Sequence, residues 1–200
     1  MTERTMHLDE TKRWDPYKRV SLIIDTGSNH LVEENALFGE AVKEGFPAVA
    51  ADISAAGNCL AAECNTAAVF HLMRVADAGL RALARDRRIK LPRKERLGLE
   101  AWDGIIRELE SAESTIRQYP KSPAQEAQYA FHHEAMARFA RFRDVFRNQL
   151  MHVQEHFGQP HAVAIFEDVQ AFMRTLATRI TENSRTPLVW KGKKWAQIRN

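Results

Sequence analysis

No stretch of this sequence reaches the roughly 18 consecutive apolar residues that a membrane span requires, which sets aside an integral helical membrane protein. The first residues, MTERTMHLDETKRWD, are charged throughout and lack the apolar centre of a secretory signal, so a cytoplasmic protein is the expectation. Cysteine is nearly absent. Cys59 and Cys64 are the only two, too few for a disulfide scaffold. Five residues apart in what reads as one helical segment, they look poorly placed for a bridge and are expected to be small reduced core residues. Glycine is sparse, at 9 residues in 200, and no glycine-rich phosphate loop or G-x-S-x-G elbow occurs. Neither H-E-x-x-H nor a cysteine pair of zinc spacing is present. His152 and His156 do make an H-x-x-x-H pair, with Glu155 and His161 near in sequence and His132-His133 upstream, but two histidines do not complete a zinc site. The expectation is no metal and no cofactor.

What is present is helical periodicity. With 44% hydrophobic and 28% charged residues, the composition is that of a globular chain large enough for one domain with a proper core. A short helix over ALFGEAVKEG closes at Gly45, and Pro47 suits the first turn of a second helix with Val49, Ile53, Ala56 and Leu60 on one face. Asn65 or Thr66 is the expected cap of a third helix with the stripe Val69, Phe70, Met73, Ala76, Leu80, Leu83. A fourth, from about Leu99 to Tyr119, carries Trp102, Ile105, Ile106, Leu109, Ala112 and Ile116. A fifth runs from about Ala124 to His156. A sixth begins near Pro160, with Ile165, Phe166, Val169, Phe172, Met173, Leu176 and Ile180 at helical spacing. Long helices joined by short loops, without a convincing run of strands, predict an all-α bundle of about five to six helices. The expected division is an N-terminal extension over 1–34, a helical domain over 35–183 and a short basic, tryptophan-containing tail over 184–200.

Charge is unevenly spread. The net value is +3, yet the last seventeen residues hold Arg185, Lys191, Lys193, Lys194 and Arg199 and no acid. Without them the chain carries more acids than bases. A second basic block, RALARDRRIKLPRKER over 81–96, includes Arg81, Arg85, Arg87 and Arg88. Such blocks are ordinarily solvated faces; the alternative is an electrostatic footprint for nucleic acid. In the tail, Trp190 and Trp195 alternate with lysines. Bases can stack on the rings while Lys191, Lys193 and Lys194 hold phosphates, or the rings can dock the tail on the bundle.

The fifth helix contains FRDVFRNQLMHVQEHF over 142–157, in which Arg147, Asn148 and His152 read R-N-x-x-x-H. Asn148 and His152 share a helix face, whereas Arg147 lies about 140° around the axis from His152 at 100° per residue. One helix therefore makes an incomplete site, and two copies across a two-fold axis would complete it. The residue types suit phosphodiester chemistry: a histidine moves protons near neutral pH, an arginine stabilises charge on phosphorus oxygens and an amide orients either.

TAAVFHLMRVADAGLRALA over 66–84 resembles the early helix of HEPN domains, where an FH…E…L(K/R)A pattern recurs; Phe70, His71, Asp77, Leu80, Arg81 and Ala82 fill it. FRNQLMH resembles the late signature helix of the same superfamily, with Arg147, Asn148 and His152 in its arginine, polar and histidine positions. The similarity is greatest to bacterial HEPN-like proteins with TAxxFHLMR and W-R-N-x-x-M-H segments, and it covers about residues 36–180. Phe146 stands in place of the tryptophan, and Asp77 in place of the more usual glutamate. The resemblance implies a dimerising bundle of four to six helices. It also implies a metal-independent endoribonuclease acting on single-stranded RNA or tRNA, in a toxin or antiviral defence role, with an inhibitory antitoxin or other partner protein. Its alternative implication is a non-catalytic RNA-binding or protein-interaction module. On this reading Arg147, Asn148 and His152 are catalytic, and His71 and Asp77 support them from nearby.

Overall fold

The computed structural model describes residues 36–89, 99–151 and 157–183. Among these residues the chain is all-α: α1 Glu40–Gly45, a 3-10 turn Pro47–Val49, α2 Ala50–Ala61, α3 Asn65–Asp86, α4 Leu99–Arg117, α5 Pro123–Met151 and α6 Gln159–Ala177, with no strand. No helix among them is long and apolar enough to cross a membrane. The N-terminal extension, the connection around Pro92 and the basic tail lie outside the described residues.

The periodic stripes become the core. Val49, Ile53, Ala56 and Leu60 of the α2 region, Trp102, Ile105, Ile106, Leu109 and Ile116 of α4, and the stripe of α6 from Ile165 to Leu176, with Ile180 just past its end, are buried. Removing apolar area from water in this way supplies the main favourable term in folding. Two edge-to-face pairs, Phe38 with Phe166 and Phe139 with Phe172, lie in this core, and Trp102 packs on Phe139 at 5.1 Å. One expected core position is corrected. Phe70 is 53% exposed, because α3 turns Val69, Leu72, Ala76, Gly79, Leu80 and Leu83 inward instead, and residue 70 falls outside that arc.

Helix ends follow local chemistry. Pro160 sits in the first turn of α6, where its missing N–H costs nothing. The N–H of Gln125 donates to Ser122 Oγ at 3.1 Å, closing the first turn of α5, while Gln125 Nε2 donates to the Ile116 carbonyl at the end of α4. The cap expected at Asn65 or Thr66 is instead at Cys64, with no side-chain hydrogen bond to the helix. The segment ahead of α1 is stitched to α6 by Gln170 Nε2 to the Leu37 carbonyl at 2.7 Å and Arg174 Nε to the Phe38 carbonyl at 3.0 Å.

These contacts fix the directions of the helices. Arg179, just past α6, donates to the Ala127 carbonyl near the start of α5, and Arg141 pairs with Asp168 further along, so α5 and α6 run antiparallel. Gly79 packs on Met173, and Gln159 reaches Leu60 beside the head of α3, so α3 and α6 run side by side in the same direction. The end of α5 therefore lies at the same end of the bundle as the α2–α3 turn and the head of α6.

Candidate functional site

Arg147 and Asn148 fall in the last two turns of α5, the longest helix. His152 lies outside the described residues, as do Lys191, Lys193 and Lys194 and the His156 of the H-x-x-x-H pair. The approach to Arg147 along α5 is described. A shallow cavity of about 150 Å³ between α4 and α5 is lined by Glu110, Glu113, His133, Met136 and Arg143 among others, and Arg147 is one turn beyond Arg143. His133 Nδ1 lies 2.7 Å from Glu113 Oε1. The cavity thus has an acidic end, where Glu113 meets His133, and Arg143 at its other end.

His71 and Asp77, expected together beside the arginine, serve two different interfaces. His71 Nδ1 is 2.9 Å from Asp52 Oδ1 on α2, and the other oxygen of Asp52 accepts from Arg74 at 3.0 Å. Asp77 faces α4, accepting from Trp102 Nε1 at 2.8 Å and from Arg81 Nε at 2.6 Å. Six residues separate the two on α3, so they point to different sides of it. Neither Asp52 nor Trp102 was recognisable from the sequence as a partner, since nothing in local spacing couples residues 19 or 25 apart.

The basic block divides by exposure. Arg85 and Arg88 are exposed, whereas Arg81 is largely covered by its pair with Asp77. Arg87, expected on a solvated face, is buried: its Nη2 lies 2.8 Å from Asp86 Oδ2, and both side chains are almost fully enclosed. Burial pulls the Arg87 guanidinium below its usual range, and the Asp86 carboxylate opposes the shift. The physical reason is position. Asp86 and Arg87 fall at the end of α3, where α5 and the end of α6 close over them.

His132 of α5 completes this enclosed polar cluster. It is fully buried, neither ring nitrogen has a hydrogen-bond partner, and the nearest carboxylate oxygen, on Glu113, is 3.9 Å away. Burial first, then the Arg87 cation, push its pKa down to about 4 against the upward pull of Glu113 and Asp86. Arg147 lies about 22 Å further along α5 at 1.5 Å per residue. The basic end of α3 and the R-N segment are therefore at opposite ends of the bundle. Among the described residues no group of three or more histidines, cysteines or acids is placed to hold a metal ion.

No protein-family profile, curated protein or solved structure matches the chain.

Proposed function

We propose that the chain is a HEPN-like, metal-independent endoribonuclease that works as a homodimer in the cytoplasm, in a toxin or antiviral role restrained by a partner protein. The observation that carries this reading is the R-N-x-x-x-H string, whose Arg147 and Asn148 fall in the last two turns of α5 in an all-α bundle, in company with the TAAVFHLMR segment of α3. Two copies meeting at that helix end would bring two arginines and two histidines to one phosphodiester. In the proposed step a ribose 2′-hydroxyl attacks the adjacent phosphorus and the 5′-oxygen leaves, giving a 2′,3′-cyclic phosphate and a 5′-hydroxyl. His152 moves the proton, Arg147 stabilises the charge on the non-bridging oxygens and Asn148 holds the phosphate or the imidazole.

The test is cleavage of mixed cellular RNA in the presence of EDTA by wild type, Arg147→Ala and His152→Ala. Cutting by wild type alone, with cyclic-phosphate ends, is the expected result. Intact RNA in every lane, together with no change in cellular behaviour for Arg147→Ala, would overturn it.

The second reading, a non-catalytic RNA-binding or protein-interaction module, draws on the engagement of His71 and Asp77 with Asp52 and Trp102, which gives both a role in holding helices together. On that reading RNA binds with strong salt dependence and stays whole.

A further inference from the structure

The two cysteines do not share a helix. Cys59 is in the last turn of α2, Cys64 precedes the first residue of α3, and between them the chain makes a tight left-handed turn. Glu63 has a φ of 56°, its N–H donates to the Leu60 carbonyl at 3.1 Å, and the N–H of Cys64 reaches back to the Cys59 carbonyl at 2.8 Å. These are the 5→2 and 6→1 bonds of a Schellman motif with Glu63 as its left-handed residue. Cys59 and Cys64 then occupy the third-from-last helical position and the second position beyond the cap, which in this motif commonly bring a pair of hydrophobic side chains into contact. Here both positions carry thiols. Burial raises the pKa of the Cys59 thiol, and the neighbouring Cys64 adds to that shift.

Their access differs. Cys59 is partly buried and packed against the core, while Cys64 is exposed. Cys64 also lines an open hollow of about 340 Å³ with Glu63, Asn65, Thr66 and Phe157, room enough for a small thiol compound to approach the sulfur from solvent.

We propose that Cys59 and Cys64 form a reactive dithiol whose substrate is a low-molecular-weight disulfide of the glutathione class, and that exchange closes them into an intrachain bond. Cys64, having lost its proton, attacks one sulfur of the small disulfide. That S–S bond breaks, and the first small thiol leaves with a proton, so Cys64 is left as a mixed disulfide. Cys59 then gives up its proton and attacks the Cys64 sulfur, expelling the second small thiol. The protein loses two electrons and two protons, and the small disulfide gains both. Burial keeps Cys59 in its thiol form at rest, so the second step is the slower one and accelerates as pH rises. Glu63 is a non-glycine residue in a left-handed conformation, so the turn that must adjust is already at its most strained backbone position. This site is independent of the ribonuclease reading and stands or falls without it.

The experiment treats the reduced full-length protein with oxidised glutathione and follows free thiols and intact mass. Wild type is expected to lose both thiols, to finish lighter by two hydrogens with no glutathione retained, and to recover both on reduction. Cleavage at Glu63 between the cysteines should leave two peptides joined by the new bond, a readout that needs no variant. Cys59→Ser should stop at a stable glutathione adduct on Cys64, and Cys64→Ser should react far more slowly. Stable adducts on wild type, linkage between chains instead of within one, or a Cys64→Ser variant as fast as wild type would each overturn the proposal.

Discussion

The indole N–H of Trp102 on α4 donates to one oxygen of Asp77 on α3 at 2.8 Å, while the other oxygen accepts from Arg81 at 2.6 Å. A single carboxylate thus accepts from a buried indole across the α3–α4 interface and from Nε of a mostly enclosed guanidinium on its own helix. Asp77→Ala leaves both donors without their acceptor and should lower stability by about 3 kcal/mol. Asp77→Asn keeps an oxygen for Trp102 and should cost clearly less. Urea unfolding of the two variants decides the point, and equal losses would show that the Trp102 bond contributes nothing.

His132 sets an acid limit. Its pKa in the folded chain is about 4, against about 6.5 for an exposed histidine. Between those values the unfolded chain takes up a proton that the folded chain refuses. The native state is therefore at full strength above pH 6.5 with respect to this group and weakens as pH falls toward 4, by about 3 kcal/mol in all. His132→Leu removes this dependence, and because neither ring nitrogen has a hydrogen-bond partner, it should cost little at pH 8. Unfolding midpoints between pH 8 and pH 4.5 test this: a variant as acid-sensitive as wild type would assign the dependence to other groups.

At Gly79, α3 packs directly on α6. A Cβ there would lie 2.7 Å from both Met173 Sδ and Phe172 Cε1 and 3.0 Å from Leu176 Cδ1. The thioether can move, but the Phe172 ring is fully buried and held edge-on against Phe139. Gly79→Ala gains about 1 kcal/mol of helix propensity, yet overpacking should outweigh it, for a net loss of about 1–2 kcal/mol. A rise in thermal midpoint would mean that the two helices separate more easily than their packing suggests.

The bundle was legible because its signal is local: a stripe recurring every three or four residues names the buried face of α6 without knowledge of any partner. Phe70 shows the limit of that signal. A phenylalanine adjacent to Val69 fits a loose stripe, and only the position of α2 and α6 around α3 decides that residue 69 faces in and residue 70 out. Cys59 and Cys64 show another limit: the break between the second and third helices is readable from the sequence, but the left-handed Glu63 that sets the two cysteines within one turn is not written in composition. His71 and Asp77 share a helix, but the neighbour each meets, Asp52 on α2 and Trp102 on α4, is set by packing that local spacing does not reveal. Of the R-N-x-x-x-H string, the helical setting of Arg147 and Asn148 is described, and His152 lies outside the described residues.

The division of the basic block by exposure gives a prediction about nucleic acid. Arg85 and Arg88 are exposed at the end of α3, while Arg87 between them is enclosed with Asp86. If this end contacts phosphates, exposed arginines release counterions on binding and the enclosed one does not. Replacing Arg85 and Arg88 together by glutamine should weaken binding to single-stranded RNA and make the log-affinity against log-salt slope shallower by about 1.4, from roughly 0.7 per phosphate contact. Arg87→Gln should leave that slope unchanged and instead destabilise the fold, because Asp86 loses its cation inside the protein. Fluorescence anisotropy at several salt concentrations reads the slope, and urea unfolding reads the stability. An unchanged slope in the double variant would move the footprint away from this end of the bundle, whereas a shallower slope in Arg87→Gln alone would mean that the Asp86 pair opens on binding and that the cluster around His132 rearranges with it.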